Sequence, residues 1–258
     1  MKVEYYKEWS GHLHQDMELK TYGEHGQPAL VFPCQGGRFF DYEDFGMVAA
    51  CQPFIEAGKL QLITVDSIDG QSWANWNAHP AERAHRHMAY DAYITDEVVP
   101  FIYERGGANT GGGYSGGVEN GKPKILVTGC SMGAYHAANF FFRRPDLFDT
   151  LIAISGLFQL GMFVGDYMDD NVYFHTPLAY LPNLEDESIL SQYRQNRIIV
   201  CVGQGAWEDP MLADAYALGR ILEDKGVPAW IDIWGHDVNH DWPWWRKMMP
   251  YFLGKVMG

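Results

Sequence analysis

A chain of 258 residues with 47% hydrophobic and 20% charged side chains carries enough apolar material to bury a substantial core, which excludes wholesale disorder. The 33 Asp and Glu outweigh the 19 Lys and Arg to leave a net charge of −14; that field repels phosphate backbones and anionic lipid, so no nucleic acid or membrane partner is expected. No apolar run approaches the roughly 20 residues of a bilayer-spanning helix and no signal-peptide pattern opens the chain, which reads as soluble and cytoplasmic.

In chain order, residues 3–9 and 17–22 read as an antiparallel strand pair. Short apolar or β-branched runs follow at 29–33, 60–65, 124–128, 150–155, 197–202 and 229–234. Segments of helical period lie between them. Asp41-Tyr42-Glu43-Asp44 gives an acidic first turn to a helix predicted to run to Gly58. The next starts near Pro80, with Ala84, Met88 and Ala92 at four-residue spacing, and another covers 131–144. Residues 211–225 place Met211, Ala215, Leu218 and Leu222 on one face, with Asp209-Pro210 read as N-cap and first-turn proline. The last helix covers 243–256.

Strands alternating with helices predict an α/β fold with a mostly parallel central sheet, helices on both faces and the antiparallel N-terminal pair at one side. The whole chain, 1–258, reads as one domain. The glycine-rich stretch 106–117 is expected to be a flexible loop inserted within it. Cys34, Cys51, Cys130 and Cys201 show no C-x-x-C pairing and are expected to be free thiols. His85-Arg86-His87 and His12-Leu13-His14 lack an acidic or thiol cluster beside them, so no metal and no other cofactor is expected.

The most informative stretch is a buried strand running straight into Gly129-Cys130-Ser131-Met132-Gly133 and then into a helix. G-x-S-x-G between strand and helix is a nucleophile elbow. The turn is so tight that side chains at either glycine would collide with backbone, and it holds the serine hydroxyl above the sheet. The helix that follows aims its positive N-terminal end at the same spot. A serine hydroxyl needs a base within hydrogen-bond reach, oriented by a carboxylate, and in this arrangement both follow the serine in the chain. His240, just before the last helix, is the favoured base; His236 competes with it, and His175 is a pocket-lining candidate. The acid falls in the loop after the strand at 197–202, where Glu208 and Asp209 are adjacent. Asp209 is already accounted for as an N-cap, which favours Glu208, but both stay open.

These residues resemble a family. Gly129-Cys130-Ser131-Met132-Gly133-Ala134, Arg144-Pro145-Asp146-Leu147-Phe148 and Ile154-Ser155-Gly156 are similar to the esterase D-like branch of the α/β-hydrolases. That branch holds S-formylglutathione hydrolases, feruloyl and acetyl-xylan esterases and secreted mycolyltransferases. His240-Asp241-Trp242-Pro243-Trp244-Trp245 fits the H-x-W-x-x-W around its base, and 65–73 resembles its loop after the fourth strand. The resemblance runs from about Met17 to the C-terminus. It implies an α/β-hydrolase fold, no metal, and attack on an ester carbonyl. It also implies two backbone oxyanion donors, one at Met132 and one near Gln35, with Gly36 or Gly37 as alternatives. The loop 32–38 departs from the H-G-G pattern of many esterases.

Residues 157–182 are rich in aromatic side chains without clear period. The excursion 157–186 reads either as a small cap shaping the pocket or as ordinary packing on the sheet. Asp169 and Asp170 within it are expected to be solvated. Trp242, Trp244 and Trp245 could form a sugar platform, though packing of the last helix explains at least two of them. The leading expectation is a serine esterase acting on a small-molecule ester. The rivals are acyl transfer by the same residues and a non-catalytic binding protein on this fold. Whether the chain forms a homo-oligomer is open.

Overall fold

In the computed structural model the described residues are 1–105, 118–119 and 122–258, so the glycine-rich stretch 106–117 lies outside them. The strands are β1 (Val3–Ser10), β2 (Gln15–Tyr22), β3 (Gln27–Phe32), β4 (Leu60–Val65), β5 (Ile125–Cys130), β6 (Phe148–Ile154), β7 (Arg197–Val202) and β8 (Trp230–Ile233). They form one eight-stranded sheet in the order β1-β2-β4-β3-β5-β6-β7-β8. β2 pairs antiparallel with β1 and with β4, and every other pairing is parallel.

The central strands are buried throughout and mostly apolar because both faces are covered. Alternate residues feed two cores. Leu30, Phe32, Ile125, Val127 and Val200 face α3 (Pro80–Tyr93), α4 (Val99–Arg105), α5 (Met132–Arg143), α9 (Glu187–Gln195) and α10 (Asp209–Asp224). Ala29, Val31, Leu126, Ile152 and Ile199 face α2 (Met47–Glu56) and α11 (Trp242–Met257). Each aliphatic side chain so buried stabilises the fold by roughly 1.5–3 kcal/mol. α5 is buried from Met132 through Phe142, as befits the helix at the centre of the molecule.

Register sets up the chemistry. Phe32 stands opposite Gly129, Cys130 opposite Ile154, Ile154 opposite Cys201, and Val202 opposite Ile233. The residues that follow these strands therefore emerge side by side along one edge, where parallel sheets present their ligand sites.

Three expectations need correction. The helix predicted over 41–58 is two: α1 (Asp41–Asp44) and α2, separated at Gly46, whose φ of +78° breaks the helical path. α3, read from the four-residue spacing of Ala84, Met88 and Ala92, buries Arg83, Ala84, His87 and Tyr90 and leaves Met88 and Ala92 half-buried, Arg83 and Tyr90 finding carbonyl partners in the interior. Asp209 is not the N-cap of α10 but its first helical residue. The cap position is Glu208, whose side chain makes no capping bond.

The segment after β6 forms α6 (Gly161–Val164), α7 (Asp170–Phe174) and α8 (Pro177–Tyr180). Asp169, expected to be solvated, caps α7 by accepting the Val172 N–H at 2.8 Å. The four cysteines are free thiols. Among the described residues no helix is long and apolar enough to cross a membrane, and no group of three or more His, Cys, Asp or Glu is placed to hold a metal ion.

Candidate active site

The turn between β5 and α5 carries Ser131 at φ +58°, ψ −123°, a conformation that costs a non-glycine residue on the order of 1–3 kcal/mol. The surroundings hold it there. A Cβ on Gly129 would lie 2.4 Å from the Gly133 carbonyl carbon, and one on Gly133 would lie 2.3 Å from the Phe32 carbonyl oxygen. The elbow thus closes on itself and presses against the end of β3. Ser131 N–H donates to the Ile154 carbonyl at 3.0 Å, fastening the turn to β6.

Two loops bring the other groups. After β7, Gly203 and Gly205 run so close to the loop after β8 that added Cβ atoms would lie 2.2 and 2.6 Å from the Val238 carbonyl oxygen. Gly205 N–H donates to that carbonyl, Ala206 N–H to Asn239 Oδ1, and His240 N–H to the Ala206 carbonyl. Trp207 at φ +69° then turns the chain, so that its own side chain is 83% exposed while Glu208 next to it is fully buried. His240 directly precedes Asp241, which caps α11 by accepting the Trp242 N–H at 2.7 Å.

The result is a chain of contacts. Ser131 Oγ lies 2.9 Å from His240 Nε2, and His240 Nδ1 lies 3.2 Å from Glu208 Oε2. Asp209 is exposed on the first turn of α10 and makes no contact with His240 among the described bonds. His236 is exposed in the loop after β8 and makes no contact with Ser131 among the described bonds. His175 is buried instead against Asn139 and Arg143, with its Nδ1 2.9 and 3.0 Å from their nitrogens.

Met132 is the first residue of α5, where a backbone N–H has no partner within the helix. Across from it, Cys34-Gln35-Gly36-Gly37 makes a tight turn closed by Gly37 N–H to the Cys34 carbonyl at 2.9 Å, with Gly36 at φ +70°. That bond engages the Gly37 N–H and leaves Gln35, which is exposed, and Gly36 as the donors the turn presents. Asp66 anchors this loop, accepting Arg38 Nε at 2.7 Å and Nη2 at 3.0 Å as well as the Phe39 N–H. Burial pushes the Cys34 thiol up to about 12, so it stays protonated at neutral pH and is a poor competitor to Ser131.

Two residues that sequence reasoning did not single out for the site complete it. Ser155, at the end of β6, donates to Glu208 Oε1 at 2.6 Å. Trp245 donates through its indole N–H to Ser155 Oγ at 3.0 Å and sets its ring edge-on to His240, with centroids 5.0 Å apart. Ser155 stands in the Ile154-Ser155-Gly156 stretch and Trp245 in the H-x-W-x-x-W stretch that carry the family resemblance, but neither pattern names a partner for its side chain. The three tryptophans of α11 pack instead of forming a platform: Trp245 is buried, Trp242 stacks on Phe45 at 4.7 Å, and Trp244 lies under Lys247.

A family model described as "Putative esterase" matches residues 10–255. The chain belongs to that family. It is a carboxylic ester hydrolase, in agreement with the branch its motifs resemble. Among solved structures, a ferulic acid esterase aligns with this esterase at a TM-score of 0.73 and 16% identity, covering 99% of this chain and 98% of the other. An S-formylglutathione hydrolase from Agrobacterium tumefaciens gives 0.70 at 13% identity, covering 99% and 95%. MPT51 from Mycobacterium tuberculosis gives 0.64 at 14% identity, covering 100% and 98%. At such identities the likeness speaks for the fold, which is that of the α/β-hydrolases. A search of curated protein sequences returns no match.

Proposed function

We propose that this esterase cleaves small-molecule carboxylic esters through a Ser131-His240-Glu208 triad and an acyl-enzyme on Ser131. The observation that carries the reading is the unbroken contact from Ser131 Oγ through the His240 ring to a carboxylate wholly removed from water. His240 Nε2 takes the hydroxyl proton as Oγ attacks the ester carbonyl, and Glu208 keeps Nδ1 protonated and offsets the imidazolium charge. The tetrahedral oxyanion forms where the positive end of α5 meets the β3 turn, with the Met132 and Gln35 N–H groups as donors. His240 then hands its proton to the departing alcohol. Water, deprotonated by the same imidazole, releases the acid.

Replacing Ser131 with Ala should lower kcat on p-nitrophenyl acetate by about ten-thousand-fold or more and abolish labelling by a fluorophosphonate, with the thermal melt unchanged. Retained turnover or retained labelling would refute the nucleophile. A wild-type protein that neither turns over esters nor reacts with the fluorophosphonate would instead favour a binding role.

A further inference from the structure

The contacts around Glu208 extend past the triad, and their direction can be worked out from donor and acceptor chemistry. An indole nitrogen only donates. Trp245 Nε1–H therefore occupies a lone pair of Ser155 Oγ, which directs the single hydroxyl proton of Ser155 toward its other neighbour, Glu208 Oε1, at 2.6 Å. The opposite polarity would have Oε1 protonated and donating to Ser155. It would leave the Ser155 proton without an acceptor in a site where that side chain is fully buried. With Oε1 accepting from Ser155, Oε2 is the atom that faces His240.

The backbone points the same way. Ser155 sits at φ +52°, a left-handed conformation that serine adopts at a cost, although glycine occupies the very next position in the chain. Its N–H donates to the Cys201 carbonyl at 2.7 Å, while Ile154 before it receives the Ser131 N–H. The peptide unit between Ile154 and Ser155 thus bridges the turn of the nucleophile and the strand that leads to the acid. Retaining serine at such a backbone angle is what a requirement for the hydroxyl would produce.

We propose that Trp245 and Ser155 form a positioning relay, Trp245 to Ser155 to Glu208, which fixes the carboxylate rotamer so that Oε2 meets His240. The proposal rests on the triad reading above and adds residues that act through Glu208 without touching substrate. Trp245 has a double part, since the same ring that donates to Ser155 also abuts the imidazole.

Steady-state kinetics on p-nitrophenyl acetate with Ser155→Ala, Ser155→Gly, Trp245→Phe and the Ser155→Ala/Trp245→Phe double variant test this. Losing a hydrogen bond to a charged group should lower kcat about 10- to 100-fold in both Ser155 variants while KM changes by less than about twofold. Glycine relaxes the left-handed backbone, so an equal loss in Ser155→Gly assigns the effect to the hydroxyl and not to strain. Trp245→Phe keeps an aromatic ring beside His240 and removes the indole N–H together with the volume of the pyrrole ring. If it acts through Ser155, its loss should be smaller and should vanish in the Ser155→Ala background. Wild-type kcat in either Ser155 variant, or losses that multiply in the double variant, would overturn the relay. Should Ser131→Ala stay active, the triad falls and the relay with it; an inactive Ser131→Ala beside a fully active Ser155→Ala sinks the relay alone.

Discussion

Glu208 and Asp209 are neighbours in the chain and occupy opposite environments. One is sealed from solvent against His240 and Ser155, and the other is exposed on the first turn of α10. Replacing a triad acid with its amide presents an N–H where the imidazole needs an acceptor. Glu208→Gln should therefore lower kcat by about 1,000- to 10,000-fold, whereas Asp209→Asn should stay within about twofold on the same ester. Equal losses in the two variants would count against the assignment. Sequence alone favours Glu208 only through an N-cap reading of Asp209 that the structure does not bear out, because burial is decided by the left-handed turn at Trp207, and nothing local marks a tryptophan for that conformation. Ser131 and His240 were legible for the converse reason. Their positions follow from a glycine pattern and from a place just before a helix, both written in consecutive residues. Ser155 and Trp245 meet across 90 positions of chain, and no spacing rule connects them.

At the scale of elements, the strands at 60–65 and 197–202 coincide with β4 and β7, since a strand buried on both faces reads as a largely apolar run. Helices were less faithful. The chain from Pro80 does not stop at the end of α3 but continues through a π-helical turn at Ile94–Val98 into α4, and its buried face carries Arg83 and His87. Arg83 reaches the Ala78 and Phe163 carbonyls, partners that hydrophobic period cannot reveal. The contact between the elbow and β3 gives a test at this scale. An alanine methyl at Gly133 would meet the Phe32 and Pro33 carbonyl oxygens at 2.3 and 2.7 Å, and backbone has little room to yield. Gly133→Ala should cost about 1–3 kcal/mol or more in urea unfolding and reduce fluorophosphonate labelling. A fully stable, fully labelled variant would show that α5 can move away from β3.

Over the whole molecule, three histidines lie buried together beside α5, with His87 stacked on His136 at 5.6 Å and edge-on to His175 at 4.6 Å. Burial holds the His87 imidazole well below its usual 6.5, with His175, His136 and Arg143 adding to the effect. His175 is lowered by burial, then by Arg143 and His136. Below pH 6.5 the unfolded chain takes up protons that the folded His87 and His175 imidazoles refuse. Their contribution to stability is thus complete above that pH and is lost as the pH falls toward the depressed folded values. Each should tilt stability by at most about 1.4 kcal/mol per pH unit within that window. Urea unfolding between pH 7 and 5 should show the decline, and His87→Phe should make it shallower. An identical slope in the variant would remove His87 from the account.

The glycines at 203 and 205 have one further effect. By letting the two loops touch backbone to backbone, they mount Glu208 and His240 on one shared bracket, with Ser131 on the turn between β5 and α5 beside it. The bonds from Gly205 to Val238 and from His240 to Ala206 thus fix the imidazole and the carboxylate relative to each other before any side-chain contact is counted.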